Sequence, residues 1–208
     1  MTMKGVFITF EGIDGCGKST QCELLKNYLE STGKDFVFVR EPGGTVIGER
    51  IREILLDKKN TRMTARTELL LFEAARAQIT DEVIRPALEE GRIVLCDRFF
   101  DSSSAYQGKA RGMGMDFVAS LNMAATGGLK PDITFFFDIS VEEALARRGK
   151  RGEASDRIEL AGLKFQEDVR SGYLELAGNS DGRIVTIDAK LGIDEIFEQI
   201  KGALEGKI

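Results

Sequence analysis

A glycine-rich turn between an apolar run and a helix is the feature that most constrains how this chain folds. The run GVFITFE, residues 5–11, is apolar without alternation, as in strands that are buried on both faces. Residues 18–31, after the turn, have the apolar spacing of a helix and are followed by a glycine that favours a helix end. A strand, a tight turn and a helix in this order predict the first unit of a sheet with parallel strands.

The turn has the composition of a phosphate cradle. Residues 12–19, GIDGCGKS, match the P-loop pattern GxxxxGK[ST]. Glycines let backbone N–H groups point at phosphate oxygens, and the following helix directs its positive end at the same anion. In this pattern Lys18 reaches the β- and γ-phosphates and Ser19 binds Mg²⁺, so the sequence predicts binding of ATP or GTP with magnesium. The competing interpretation is a glycine turn with an ordinary exposed lysine, but the flanking strand and helix favour the cradle. The predicted nucleotide-binding residues are Gly12, Ile13, Asp14, Gly15, Cys16, Gly17, Lys18, Ser19 and Thr20.

Further apolar runs alternate with helical segments along the rest of the chain. The runs are DFVFVR (35–40), RIVLCD (92–97), DITFFFDI (132–139) and RIVTID (183–188). Helical spacing covers residues 46–56, 64–90, 115–126, 141–148, 157–177 and 192–205, and Pro86 is expected to kink or divide the second of these. Strands that alternate with helices indicate an α/β fold with right-handed crossovers. We therefore predict one domain over residues 1–208 with the P-loop NTPase fold: a five-stranded parallel sheet flanked by helices on both faces.

Composition excludes several classes of function. Histidine is absent, which removes Ser-His-Asp catalysis, Cys-His catalysis and histidine metal sites. The formal net charge is −5, which argues against a nucleic-acid partner. Three cysteines without a CxxC pair favour a reducing, cytoplasmic setting. No apolar stretch approaches the ~18 residues of a membrane span, and the first run is too short for a signal peptide, so no membrane partner is expected.

Arginines indicate a second phosphate site beside the cradle. Arg98 directly follows Asp97 at the predicted end of a strand, and arginine binds phosphate in a bidentate manner. Asp97 itself could supply the acid that many P-loop proteins place at a strand end, and the NKxD motif of regulatory GTPases is missing. A basic cluster follows the run at 132–139 and is either a solvated surface or a lid over the P-loop. Its members are Arg147, Arg148, Lys150, Arg151 and Arg157.

These segments together resemble the thymidylate kinase family. The segments FEGIDGCGKSTQ, REPGGT, LLLFEAARAQ, DRFFDSSSAYQG, PDITFFFDI and RIVTIDA occur in that family's order and spacing, over roughly residues 5–205. The resemblance implies a kinase that transfers the γ-phosphoryl group of ATP to dTMP, with Mg²⁺, a lid near residues 147–157 and a homodimer formed through helices near 46–80. Because Gly15 follows Asp14, the chain resembles the type of family member whose catalytic arginines come from the lid.

The resemblance also implies a role for each matching residue. Phe72 is expected to stack on thymine, Arg76 to bind its edge, and Tyr106 to exclude a 2′-hydroxyl. Arg98 is expected to clamp the dTMP phosphate near Arg40 and Glu41. The expected catalytic residues are Lys18, Arg98, Arg148, Arg151 and Asp14, and the expected magnesium ligands are Ser19 and Asp97. The expected dTMP-binding residues are Arg40, Glu41, Pro42 (after a cis bond), Phe72, Arg76, Asp97, Arg98, Ser102, Ser103, Tyr106 and Gln107.

Two alternatives to dTMP phosphorylation stay open at the level of sequence. One is a kinase for another nucleoside monophosphate, such as CMP, AMP or dUMP. The other is a nucleotide-dependent switch without an acceptor substrate, although REPGGT and the pair Arg76 and Arg98 have no evident use in a switch. A phosphate acceptor has a second pKa of about 6 and needs no general base, which suits a chain without histidine.

Overall fold

The structure is a computed structural model, and it describes residues 5–151, 157–158 and 161–208, with the side chains of residues 150 and 151 left out. Five parallel strands form one sheet in the order β2-β3-β1-β4-β5. They are β1 Phe7–Glu11, β2 Phe36–Arg40, β3 Ile93–Asp97, β4 Ile133–Asp138 and β5 Ile184–Asp188. Each of the five predicted runs contains one strand, so the predicted α/β fold with a five-stranded parallel sheet is confirmed.

Helices connect the strands and cover both faces of the sheet. They are α1 Lys18–Ser31, α2 Val46–Leu56, α3 Ala65–Ile79, α4 Arg85–Glu89, α5 Phe100–Ser103, α6 Met115–Thr126, α7 Val141–Arg151, α8 Leu163–Gly178 and α9 Ile193–Leu204. Two π-helical segments, Thr80–Ile84 and Ser104–Ala110, follow α3 and α5. None of the described helices is long and apolar enough to cross a membrane.

The core lies on both sides of the central strand. Phe7 of β1 packs in one apolar cluster, whereas Ile8 and Phe10 pack in a second cluster on the opposite face. Because successive side chains of a strand point to opposite faces, a continuous apolar run fills both clusters. This explains why the runs lack a polar alternation.

The register of the strands assembles the candidate site at one edge of the sheet. Asp97 at the end of β3 is aligned with Phe10 of β1 on one side and with Arg40 of β2 on the other. The turn after β1, the segment after β2 and Arg98 after β3 therefore leave the sheet side by side. Ligands in parallel sheets bind beyond this carboxyl edge.

The helical prediction over residues 64–90 needs one refinement. The chain stays helical through this range, but a π-helical turn at Thr80–Ile84 separates α3 from α4. Pro86 has no N–H group, and its ring would clash with the carbonyl four residues earlier in a regular α-helix. A widened turn directly before Pro86 accommodates it.

Two other helical predictions differ from the structure. The helix predicted from residue 157 begins at Leu163, because Gly162 has a φ of 94° and Arg157–Ile158 form a turn. The sequence analysis did not predict the helical structure at Phe100–Ala110. Three serines and a glycine obscure the apolar spacing there.

Candidate active site

The P-loop is held in shape by glycines and by the helix that packs on it. Gly17 has a φ of 104° and caps α1 without a side-chain hydrogen bond, which leaves the first amides of the helix facing the loop. A Cβ atom at Gly15 would collide with the backbone of Ala144 and lie 2.9 Å from Cγ of Arg148, both on α7. Glycine at position 15 therefore lets α7 and Arg148 approach the loop.

The side chain of Lys18 is hydrogen-bonded to the backbone of the P-loop. Its ammonium group donates hydrogen bonds to the carbonyl oxygens of Gly12 at 2.8 Å and Ile13 at 3.2 Å, and the residue is 5% exposed. The charge is thus held at the mouth of the cradle by weak neutral acceptors. Phosphate oxygens can replace these acceptors, because hydrogen bonds between charged partners are stronger.

The residues predicted to bind magnesium fit that ion chemically. Ser19 is exposed in the first turn of α1. Asp97 lies at the sheet edge, and its Oδ1 is buried without a hydrogen-bond partner among the described residues. A hydroxyl and a carboxylate are the oxygen ligands that Mg²⁺ accepts, with waters and phosphates completing its shell. The described residues contain no group of three or more His, Cys, Asp or Glu that could hold a metal alone, and an ion bound largely through nucleotide phosphates needs none.

Arg98 joins the loop to a neighbouring cleft. Its guanidinium lies 2.6 Å from Oδ1 of Asp14 and within 3.3–3.4 Å of the hydroxyls of Ser102 and Tyr173. Burial raises the pKa of Asp14, but the charges of Arg98, Lys18 and Arg148 outweigh burial and lower this pKa to about 2. Asp14 is therefore ionised at neutral pH, and it holds Arg98 at the boundary between the two sites.

The backbone of Arg98 supports a functional role. Its φ is 67°, a left-handed conformation that costs a non-glycine residue about 1–2 kcal/mol. Strained residues of this kind are concentrated at active sites, where the surrounding structure holds them in place.

We expect Arg98→Gly to be more stable to urea than Arg98→Ala, by roughly 0.5–1 kcal/mol. Both variants lose the contact with Asp14, so their difference isolates the left-handed backbone. The midpoints of urea unfolding provide the comparison. Equal stabilities, or a more stable alanine variant, would show that position 98 carries no such strain.

The neighbouring cleft contains most of the residues predicted to bind dTMP. It encloses about 200 Å³ between α2, α3, the helical segment after β3 and the turn at Ile158. Eight predicted dTMP-binding residues line it together with Asp14: Glu41, Pro42, Phe72, Arg98, Ser102, Ser103, Tyr106 and Gln107. The bond before Pro42 is cis, as predicted.

Two predicted dTMP-binding arginines do not line this cleft. Arg40 donates to Glu49 at 2.9–3.0 Å and to the carbonyl of Pro42 at 2.8 Å, on the outer side of the REPGGT turn. Arg76 is 1% exposed and contacts Glu41 at 2.9 Å and Glu73 at 2.6 Å. Arg40 and Arg76 therefore contact residues of the cleft wall without lining the cleft themselves. Direct contact between Arg76 and the base stays a prediction.

Glu41 connects the cleft to the buried Arg76. Burial raises the pKa of Glu41 to about 7, although Arg76 acts in the opposite direction. The Glu41 carboxylate accepts a hydrogen bond from Nε of Arg76 at 2.9 Å, and Glu41 itself lines the cleft. Arg76 therefore partly offsets the repulsion that Glu41 would exert on a bound phosphate.

A hydrogen-bond network beneath the cleft was not found from the sequence. Glu11, at the end of β1, accepts from the hydroxyls of Ser102 at 2.6 Å and Tyr173 at 2.8 Å and from the backbone N–H of Phe99 at 2.7 Å. Burial raises the pKa of Glu11. The sequence analysis assigned no role to Glu11, and Tyr173 on α8 has no local motif.

Arg52, Leu56 and Ile158 also line the cleft and were not predicted to do so. Arg52 donates to the carbonyl of Pro42 at 3.0 Å. Arg52 and Leu56 are four residues apart on α2 and therefore lie on one helix face. That spacing, next to the REPGGT segment, is the signal that could have identified them.

The predicted lid is described only in part. Arg148 lies on α7, is buried, and is close enough to lower the pKa of Asp14. Arg147 donates to the carbonyl of Ala189 at 2.9 Å. The side chain of Arg151 and residues 152–156 lie outside the described part of the chain.

A second cleft opens on the other side of the P-loop. It encloses about 190 Å³ between the loop, α7 and the start of α9. Its lining includes Cys16, Gly17, Thr20, Arg147, Ala189 and Leu191. Of these, the sequence analysis identified the loop residues as nucleotide-binding but assigned no such role to Ala189 and Leu191, which follow β5.

Comparison with known proteins gives one consistent result. The family model described as Thymidylate kinase matches residues 10–200. The thymidylate kinase of Symbiobacterium thermophilum is 49% identical, over 96% of this chain and 92% of its own, and that of Thermosipho melanesiensis is 53% identical, over 96% and 98%. The crystal structure of thymidylate kinase from Ehrlichia chaffeensis aligns with a TM-score of 0.79 and 33% identity, covering 97% of this chain and 99% of that one.

Proposed function

The chain belongs to the thymidylate kinase family, and we propose that its two clefts divide the substrates of γ-phosphoryl transfer from ATP to dTMP. The cleft behind Arg98 takes dTMP, and the P-loop with the cleft beside α9 takes ATP. The observation that carries this assignment is the 2.6 Å ion pair between Asp14 of the loop and Arg98 of the cleft. This pair supports the assignment, because it joins the P-loop directly to the cleft.

On the donor side, the P-loop amides and Lys18 bind the β- and γ-phosphates of ATP. The cleft lined by Arg147 and Leu191 takes the adenosine end, because it continues from the loop along α1 and α9. Ser19 and Asp97 would hold Mg²⁺. When bound, this ion neutralises charge on the phosphate oxygens.

On the acceptor side, Arg98 binds the phosphate of dTMP and Phe72 stacks on thymine. Ser102 and Ser103 face the sugar, and Tyr106 restricts the space at its 2′ position. The walls of the cleft combine these polar groups with the apolar side chains of Leu56 and Ile158. This combination suits an acceptor that has a charged end and a flat pyrimidine end.

The transfer itself requires placement and charge neutralisation rather than proton abstraction. The acceptor phosphate is mostly ionised near neutral pH, so no general base is needed. Lys18 belongs to the donor site and Arg98 to the acceptor site, and the charges of both lower the pKa of Asp14. Arg148 of α7 lies against the loop and supplies a further positive charge for the moving phosphoryl group, with Arg151 proposed to assist it.

A nucleotide panel tests the proposed function. We expect ADP release from ATP and Mg²⁺ to depend on added dTMP and to be much slower with CMP, AMP and dUMP. ATP hydrolysis that no mononucleotide accelerates would indicate a switch. Equal or faster turnover with CMP, AMP or dUMP would contradict the assignment of the acceptor.

We also propose a cytoplasmic homodimer. Exposed apolar side chains lie on α2, α3 and α6, and α3 contacts both other helices. They are Val46, Ile47, Ile54, Leu70 and Phe117, with exposed fractions between 47% and 73%. Burial of such a patch is a common reason for association. The described cysteines are all free and buried, which suits a reducing compartment.

Leu70→Asp is expected to convert the dimer to a monomer, because an aspartate in the centre of the patch would have to be buried without a partner. Sedimentation velocity measures the change. Leu174→Asp on α8, which is 42% exposed outside the patch, is the matched control and should stay dimeric. A Leu70→Asp protein that remains dimeric would place the interface elsewhere.

A further inference from the structure

Glu68 is a buried acid that touches the acceptor cleft only through another side chain. It lies in the first turn of α3, one helical turn before Phe72, and is 1% exposed. Its Oε1 accepts a 3.0 Å hydrogen bond from Nε2 of Gln107, which lines the cleft. The roles proposed above do not use this acid.

Two arginines keep Glu68 ionised in spite of its burial. Arg111 donates to both of its carboxylate oxygens at 3.2 Å, and Arg157 lies 2.7 Å from Oε2. Burial raises the pKa of Glu68, but Gln107 and the arginines outweigh it, so the net pKa is lowered. The group that faces Gln107 is therefore a carboxylate, which can only accept hydrogen bonds.

A carboxylate at this position fixes the orientation of the Gln107 amide. If the amide were flipped, its oxygen would face the oxygen of Glu68, and two acceptors would repel each other. The Nε2 group of Gln107 must therefore point at Glu68, and its Oε1 atom points to the other side of the amide. Gln107 consequently offers an acceptor to the cleft.

We infer that Glu68 is a positioning residue for base specificity: it orients Gln107 so that the cleft accepts a pyrimidine with a hydrogen-bond donor at ring N3. Thymine and uracil carry an N3–H group, whereas N3 of cytosine is an acceptor and would face the amide oxygen unpaired. A binding site built to pair a polar group rejects the analogue that cannot pair with it, because a buried group is left unsatisfied. This inference rests on the proposed binding of dTMP in this cleft.

The test compares dTMP with dCMP in wild type and in Glu68→Gln. The variant has nearly the same shape, but its amide can accept from or donate to Gln107, so Gln107 can turn either way. We expect the ratio of the dCMP inhibition constant to the dTMP dissociation constant to fall about tenfold or more, while the KM for ATP changes little. Arg111→Gln, which removes a partner of Glu68 but leaves its bond with Gln107, is the control and should keep the wild-type ratio.

A double-mutant cycle separates orientation from packing. In a Gln107→Met background, Glu68→Gln should no longer change the ratio, because the amide that it orients is gone. A ratio unchanged in Glu68→Gln, with both nucleotides weakened equally, would overturn the inference and leave Glu68 a structural residue. A wild-type enzyme that does not prefer dTMP to dCMP would instead contradict the proposed acceptor.

Should Glu68→Gln fail to fold, a structure of the wild-type protein with dTMP decides the question. The inference requires Oε1 of Gln107 within hydrogen-bond distance of N3 of thymine and Nε2 still on Glu68. A base that does not contact Gln107 would overturn it.

Discussion

Replacing Lys18 by alanine is expected to slow dTMP phosphorylation by roughly 10³-fold, the scale seen when one preorganised charge-stabilising group is removed. Lys18 provides the positive charge at the mouth of the P-loop, and its ammonium is already held there by the carbonyls of Gly12 and Ile13. An alanine leaves the negative charge of the moving phosphoryl group without this partner. Steady-state ADP release with saturating dTMP measures the effect.

Lys26→Ala is the matched control for this variant. Lys26 lies on the same helix and pairs with Glu23 at 2.8 Å, on a surface away from the loop. We expect near wild-type turnover for Lys26→Ala and thermal unfolding of both variants within a few degrees of wild type. A Lys18→Ala enzyme with normal turnover would contradict the P-loop assignment.

Replacing Arg98 by alanine is expected to reduce kcat/KM for dTMP by about 10²–10³-fold and to leave the KM for ATP nearly unchanged. Arg98 contacts Asp14, Ser102 and Tyr173 and lines the acceptor cleft, so its loss removes the proposed clamp on the dTMP phosphate. A hydrogen-bonded charge pair of this kind contributes about 2–5 kcal/mol when one partner is truncated. Asp14 would in addition remain as an unpaired negative charge beside the acceptor phosphate.

The control for Arg98→Ala is Arg92→Ala. Arg92 stands before β3, at the opposite end from Arg98, and pairs with Asp35 at 3.0 Å. Its removal tests for a general effect of losing an arginine near this strand. Similar kinetic losses in both variants would argue that Arg98 acts through stability rather than through dTMP.

The sequence was sufficient to predict the fold and to indicate candidate residues for the donor side of the site, because both depend on local patterns. Gly17 and Lys18 bind phosphate together with the loop backbone and the N-terminus of the adjoining helix. A short sequence pattern therefore identifies them. Buried parallel strands produce continuous apolar runs that can be recognised one at a time. The acceptor cleft was predicted largely through family resemblance, since its residues come from several segments that are far apart in the sequence.

The residues that were missed act through contacts between distant segments. Tyr173 reaches Glu11 across 162 positions of the chain. Glu68 acts through Gln107, 39 positions away. No local pattern distinguishes such residues from ordinary core or surface positions. The buried placement of Arg76 also depends on tertiary contacts, because its neighbours Glu41 and Asn122 lie outside α3.

The division of the two substrates between neighbouring clefts is tested most directly by binding each substrate alone. Calorimetric titration of dTMP and of a non-hydrolysable ATP analogue into wild type, Lys18→Ala and Arg98→Ala gives six affinities. We predict that Arg98→Ala weakens dTMP binding by at least about tenfold without changing the analogue, and that Lys18→Ala weakens the analogue without changing dTMP. Parallel losses of both ligands in both variants would contradict the account.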